Sequence, residues 1–68
     1  MKMKHRIWDY LFELTEYSDN EGERILVEAC SMGEACGILE DNGFDDEDYK
    51  YITKMPVLDG ERLGLDTY

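Results

Sequence analysis

The chain has few residues of the types that build catalytic sites. Its 68 residues include a single histidine, a single proline and two cysteines. The histidine, His5, lies in a basic N-terminal segment, and the sequence places no serine or cysteine nucleophile beside it. A nucleophilic site needs a base that packed neighbours hold next to the nucleophile. We therefore expect no catalytic residues and no enzymatic activity.

The chain also has few cysteines and no long apolar run. Cys30 and Cys36 match neither a Cys-x-x-Cys redox motif nor a zinc ligand pair. Apolar runs reach only two or three residues, as at 25–27, whereas a bilayer span needs about 20. The basic residues 1–6 are not followed by the apolar stretch of a secretory signal. We expect a cytoplasmic protein with reduced thiols, and the alternative of a disulfide between the two cysteines stays open.

Motifs that hold phosphates or hard cations are missing as well. Neither a Gly-x-x-x-x-Gly-Lys-Ser/Thr nor a Gly-x-Gly-x-x-Gly pattern occurs. The acidic stretch 19–22 lacks the alternating ligands and distal glutamate of an EF-hand loop, and the stretch 45–48 has no glycine to turn the chain around an ion. We therefore expect no cofactor and no bound metal.

Basic side chains are few compared with acidic ones. The chain has 17 aspartates and glutamates against 7 lysines and arginines, a formal net charge of −10 at pH 7. Such a chain is repelled by a phosphate backbone, which argues against direct binding of nucleic acid. Its 43% hydrophobic and 12% aromatic content is nevertheless too rich for a disordered acidic tail. We expect one folded domain over residues 1–68, with a basic or uncharged partner.

Period-two patterns predict a β-hairpin in the first half of the chain. Residues 7–15 alternate between a row that faces the core and a row, containing Asp9 and Glu13, that faces outward. The turn-forming residues 17–22 separate this strand from a second strand at 24–29. The core-facing row of the first strand consists of Trp8, Tyr10, Phe12 and Leu14.

End signals predict one helix in the second half. Ser31 and Glu34 fit a capping box, so a helix begins at about Met32, and the Asn-Gly pair at 42–43 ends it near Asp41. Residues 49–54 have the composition of a third strand, which Pro56 closes. Residues 57–63 fit a short helix. The predicted fold class is therefore α+β, in the order β-β-α-β-α: a three-stranded antiparallel sheet with one packed helix and a short C-terminal helix.

The acidic residues are concentrated between residues 9 and 48. This stretch has fourteen acids and one base, Arg24, and therefore thirteen net negative charges. Crowded like charges destabilise a compact state, which favours a binding surface over a solubility coat. Alternate residues on a strand face are about 6.6–6.8 Å apart, a spacing similar to that of successive phosphates. The predicted partner-binding residues are Asp9, Glu13, Glu34, Glu40, Asp41, Asp45, Asp46, Glu47 and Asp48.

Besides length and charge, two segments have a sequence character that bears on a resemblance to known proteins. They are residues 34–44, EACGILEDNGF, and residues 63–68, LGLDTY. With them the chain resembles the small acidic inhibitors of bacterial defence that phages and mobile elements encode, including anti-CRISPR proteins and DNA mimics of the anti-restriction type. The resemblance implies a non-enzymatic inhibitor that binds a basic nucleic-acid-binding protein, such as a CRISPR effector or a restriction nuclease, in a bacterial cytoplasm. These inhibitors share no motif, so the resemblance assigns no residue a role.

The alternative interpretation is a small homodimeric interaction module. The second sheet face carries Ile7, Leu11 and Leu26, which the C-terminal segment covers or a partner contacts. In the second case Leu11 and Leu26 carry the interface, and the acidity serves only solubility.

Overall fold

The computed structural model describes residues 7–57 and 65–68, which form a four-stranded mixed sheet and one helix. The α+β class is therefore confirmed. The strand order in the sheet is β3-β1-β2-β4. The elements are β1 (Trp8–Leu14), β2 (Arg24–Ala29), α1 (Met32–Asp41), β3 (Tyr49–Pro56) and β4 (Asp66–Thr67).

The β1–β2 hairpin forms as its period-two pattern predicted. The two strands pair antiparallel from Trp8 opposite Ala29 to Glu13 opposite Arg24. The predicted inner row of β1 faces the core, where Phe12 is only 1% exposed. Burial of apolar area is the main favourable term in folding, at about 25 cal/mol per Å². The buried core consists of Tyr10, Phe12, Leu14, Ile25, Val27, Ala29, Ala35, Leu39 and Tyr49.

Helix α1 begins where the capping box predicted it. The Ser31 hydroxyl accepts a hydrogen bond from the backbone N–H of Glu34, at 3.2 Å. The Glu34 carboxylate in turn accepts one from the backbone N–H of Cys30, at 2.6 Å. The first bond occupies an amide that the start of a helix otherwise leaves free, and the second joins Glu34 to the residue before the N-cap.

The C-terminus of α1 is a Schellman motif, the left-handed stop that the Asn-Gly pair predicted. Gly43 has φ +94° and donates its N–H to the carbonyl of Glu40, at 3.0 Å. Phe44 donates to the carbonyl of Leu39, also at 3.0 Å. Glycine adopts this backbone conformation without the steric cost that a Cβ brings. The helix therefore ends at Asp41, as expected. Across the described residues, no helix has the length and apolar character needed to cross a membrane.

Strand β3 pairs antiparallel with β1 and contains a bulge. Tyr51 lies opposite Phe12 and Thr53 lies opposite Leu11, so Ile52 is an extra residue on β3. A bulge of this kind leaves one residue unpaired and bends the strand. The observed strand is two residues longer than predicted and includes the proline as its last residue.

The prediction of a three-stranded antiparallel sheet was wrong, because β4 adds a fourth strand parallel to β2. Tyr68 donates its N–H to the carbonyl of Leu26, at 2.8 Å, and its ring packs edge-on against Phe44, with centroids 5.6 Å apart. A strand of two residues has no periodicity to detect, so only tertiary contacts reveal it. The predicted helix at 57–63 falls outside the described residues except for Val57, which has no regular secondary structure.

The centre of the second sheet face is buried too. Leu11 and Leu26, which lie opposite each other on β1 and β2, are 7% and 1% exposed. Ile7 remains 47% exposed. The proposed homodimer contact through Leu11 and Leu26 was therefore wrong, because neither side chain is at the surface.

The hydroxyl of Tyr49 is buried, and among the described residues it has no hydrogen bond of normal geometry; the neighbouring Cys36 thiol is only a weak hydrogen-bonding group. Burial, the neighbouring Cys36 thiol and the carboxylates of Glu40 and Asp46 raise the pKa of Tyr49 to about 12. A buried hydroxyl that has lost its water without gaining a protein partner costs about 1–3 kcal/mol. The hydroxyl therefore lowers the stability of the fold.

Removing this hydroxyl is expected to stabilise the protein. Tyr49→Phe should raise the free energy of unfolding by about 1 kcal/mol, because the ring keeps its packing and the unpaired oxygen is lost. Urea unfolding monitored by circular dichroism measures the change. Tyr51→Phe is the matched control and should have little effect, since Tyr51 is 46% exposed. A lower urea midpoint for Tyr49→Phe would contradict the prediction.

Candidate functional site

Two acidic loops meet at one end of the sheet. The hairpin loop at 15–23 joins β1 to β2, and the connection at 42–48 joins α1 to β3. Both lie where Leu14 pairs with Tyr49, because β1 ends there and β3 begins there. The backbone N–H of Thr15 donates to the carbonyl of Asp48 at 2.9 Å, and the Thr15 hydroxyl donates to the carbonyl of Glu47. These bonds fix the two loops side by side.

The last turn of α1 adds further carboxylates. The helix follows β2 and returns to the same end, where Glu40 and Asp41 are exposed. We call this group of side chains the acidic end. All its members are exposed except Asp48, which is half-buried. The acidic end consists of Glu16, Asp19, Glu21, Glu23, Glu40, Asp41, Asp45, Asp46, Glu47 and Asp48.

No described lysine or arginine forms an ion pair with a member of the acidic end. The nearby bases contact Glu13 instead: Arg24 Nε lies 3.3 Å from one carboxylate oxygen and Lys50 Nζ lies 3.9 Å from the other. These two ion pairs lie between residues of the ranges 7–57 and 65–68. The ten carboxylates therefore have no ion-pair partner among the described residues.

Six of the nine predicted binding residues belong to the acidic end, and three do not. The expectation that Asp9 faces solvent was wrong: it is 3% exposed. The alternation placed Asp9 on the second sheet face correctly, but the centre of that face is buried. Glu13 is half-buried and held by two bases. Glu34 is exposed but lies at the other end of α1, where it caps the helix.

Four acidic-end residues of the hairpin loop were missing from the predicted site. They are Glu16, Asp19, Glu21 and Glu23. The signal that would have found them is topological. If the strand at 49–54 pairs antiparallel with the strand at 7–15, the start of one strand lies beside the end of the other. The acidic stretch before residue 49 must then lie beside the hairpin loop after residue 15.

A groove of about 240 Å³ opens at the acidic end. Its lining residues include Tyr17, which is 67% exposed, together with Glu16 and Glu21. Aromatic faces and carboxylates both attract guanidinium and ammonium groups. With three glutamates against one lysine, the lining therefore suits a cationic side chain. The groove is lined by Glu13, Leu14, Thr15, Glu16, Tyr17, Glu21 and Lys50.

The thiols and carboxylates do not form a reactive or metal-binding centre in the described part of the chain. Cys30 is exposed, and partial desolvation followed by the nearby Glu34 carboxylate raises the pKa of its thiol. A raised pKa lowers the thiolate fraction and with it the reactivity. In residues 7–57 and 65–68, no three or more His, Cys, Asp or Glu side chains converge as metal ligands do.

The acids at the two ends of α1 are expected to affect stability with opposite signs. Glu34 lies in the first turn, whereas Glu40 lies in the last turn, which contains no basic residue. The helix dipole favours negative charge at the N-terminus and disfavours it at the C-terminus, by about 0.3–1 kcal/mol at low salt. Glu40 therefore weakens the helix that positions it.

Two chemically identical substitutions test this difference. Glu40→Gln should raise the melting temperature and Glu34→Gln should lower it, each by roughly 2–6 °C at low salt. Differential scanning calorimetry measures both shifts, and both should shrink at about 0.5 M NaCl because salt screens the dipole. Shifts of the same sign in the two variants would show that removal of net charge, and not position on the helix, controls stability.

Comparisons of the chain with models of protein families, with curated proteins and with solved structures find no match. A function must therefore be inferred from the chemistry of the acidic end. That chemistry consists of ten clustered carboxylates, an adjoining groove with an exposed aromatic ring, and loops held together by backbone hydrogen bonds.

Proposed function

We propose that the chain is a non-enzymatic inhibitor that places its acidic end on the basic nucleic-acid-binding surface of a partner protein. The observation that carries this proposal is the pair of Thr15 hydrogen bonds that joins the two acidic loops. A surface rich in lysine and arginine attracts such a concentration of negative charge. A nucleic acid and the inhibitor cannot occupy the same cationic surface together, so binding blocks the partner. A CRISPR effector or a restriction nuclease has a surface of this kind.

The clustering of the acids supports a binding role more than a solubility role. Solubility requires net charge but no particular arrangement, and dispersed charges repel one another less. In this chain the acids converge from two loops and from the unfavourable end of α1. A cationic partner would relieve this repulsion on binding.

The groove supplies an anchor point within the proposed interface. An arginine of the partner would stack on Tyr17 and pair with Glu16 or Glu21. Arginine is among the residues that contribute most to the free energy of binding at protein interfaces. The surrounding carboxylates would then set the orientation and speed the encounter.

The resemblance to nucleic acid in this proposal is one of charge and not of regular spacing. The strand-face array of carboxylates does not form, because Asp9 is buried and Glu13 pairs with two bases. The acids of the acidic end lie mainly on loops, whose spacing no strand repeat fixes. Competition for a cationic surface requires only that the charges be dense.

Cleavage assays with purified nucleases test the proposal. Purified CRISPR effectors and restriction nucleases would cut labelled DNA with and without the chain, at about 50 mM and about 500 mM salt. We expect inhibition of at least one nuclease at low salt and much weaker inhibition at high salt, because the association rate depends on steering by charge. The chain alone should leave the DNA intact. Inhibition that is indifferent to salt, or cleavage by the chain itself, would overturn the proposal.

A further inference from the structure

We infer that the outer edge of β3 binds an extended segment of a partner protein that carries two carboxylates three residues apart. β3 pairs with β1 on one side, and no described strand pairs with its other side. It has 8 residues, whereas the opposite edge strand, β4, has 2. The free backbone groups of a long edge are a template for an added strand.

The charge of β3 selects an acidic occupant. The strand carries Lys50 and Lys54 and no acid, in a chain whose net charge is −10. The Lys50 side chain is 61% exposed, and Lys54 is exposed as well. Tyr51 and Ile52 are 46% and 38% exposed. Complementarity therefore favours a segment with carboxylates and apolar side chains.

The bulge at Ile52 determines the spacing of those carboxylates. Lys50 lies opposite Glu13 and Lys54 lies opposite Tyr10, so lysines four residues apart on β3 span only three residues of the regular strand β1. An odd separation puts the two lysines on opposite faces of the sheet. A regular partner strand added at the outer edge would span the same distance in three residues. Acids at its positions i and i+3 would therefore lie beside the two lysines.

The contacts of the lysines agree with this placement on two faces. The Lys54 ammonium lies 4.5 Å from the centre of the Trp8 ring, on the face that also carries Tyr10. Lys50 contacts Glu13, on the other face, at the long distance of 3.9 Å. An added strand would offer each lysine a carboxylate in addition to these contacts.

A second copy of this chain fits the edge less well. Pairing β3 with another β3 brings lysines and no carboxylates, so the charges are not complementary. This surface adjoins the acidic end, because Lys50 also lines the groove there, but the inference does not depend on the proposed inhibition.

Titration with synthetic peptides, followed by NMR, tests the inference. The probe is an eight-residue peptide of valine and threonine with two glutamates three positions apart, and the control peptide has the same composition with the glutamates four positions apart. We expect the first peptide to shift the amide resonances of residues 50–55 and to bind about five-fold more tightly than the second. Equal affinities, or no shifts at millimolar peptide, would overturn the inference.

Charge reversal provides the matched variants. Lys50→Glu with Lys54→Glu should abolish binding of the glutamate peptide and permit binding of a peptide with lysines at the same two positions. Asp46→Asn, a change at the acidic end, should leave peptide affinity unchanged. Sedimentation of the chain alone identifies the competing occupant: a dimer that the peptide does not dissociate would show that a second copy holds the edge and would overturn the inference.

Discussion

Phe12→Ala is expected to lower the free energy of unfolding by about 3–5 kcal/mol, the usual cost of truncating a fully buried aromatic residue. The Phe12 side chain is 1% exposed. Its ring packs edge-on against Tyr49 and Tyr51, at centroid distances of 5.2 and 6.1 Å. The substitution removes these contacts between β1 and β3 and leaves a cavity in the small core.

A loss of this size approaches the whole stability of the domain. Stabilities of about 0.05–0.15 kcal/mol per residue correspond to roughly 3–10 kcal/mol for a chain of this length. Circular dichroism at 25 °C should therefore show Phe12→Ala partly or wholly unfolded. Phe12→Leu, a smaller truncation, keeps the free energy measurable by urea unfolding. Ile7→Ala is the exposed control and should change stability by less than about 0.5 kcal/mol. Similar losses for Ile7→Ala and Phe12→Leu would contradict the packing described for Phe12.

The same packing also positions the acidic end. Phe12 helps to hold β3 against β1, and the pairing of these strands brings Thr15 to the carbonyls of Glu47 and Asp48. The acidic loops are therefore held together by a core that lies next to them. A core variant that loosens β3 should weaken any function of the acidic end even though it changes no charge.

The parts of the fold that the sequence predicted are those with local signals. The alternation in β1 and the caps at Ser31 and Gly43 each involve residues close together in the chain, and each was confirmed. β4 depends on a parallel pairing between Ile25 and Asp66, which are far apart in sequence. A strand of two residues has no local sequence pattern that predicts such a pairing.

The candidate site was predictable in composition but not in arrangement. The stretch 45–48 was identified from its charge, and it lies at the acidic end. Asp9 was misplaced because alternation gives the face of a strand and not whether that face is covered. Glu16 and Glu21 belong to the site because the two acidic loops are in contact. That contact can be predicted only when the order of the strands in the sheet is known.

Neutralising two acids at the acidic end is expected to weaken inhibition by about 10–100-fold at low salt. The variant is Asp45→Asn with Asp46→Asn. Both side chains are exposed, and asparagine preserves their size. The change leaves Asp48 in place, so its carboxylate still accepts the backbone N–H of Asp45, at 2.8 Å. The loop should keep its conformation while losing two charges. The measurement is the concentration of chain that halves cleavage by a sensitive nuclease.

A control with the same loss of charge decides whether position matters. Glu28→Gln with Glu34→Gln also removes two exposed carboxylates, but neither belongs to the acidic end. If charge acts only through its total, the two double variants should lose inhibition equally, since their net charges are the same. If the acidic end is the binding surface, the Asp45/Asp46 variant should lose far more, and the difference should shrink at about 500 mM salt as screening weakens the attraction. Equal losses of inhibition at low salt would mean that the acids serve only solubility and that the partner binds elsewhere.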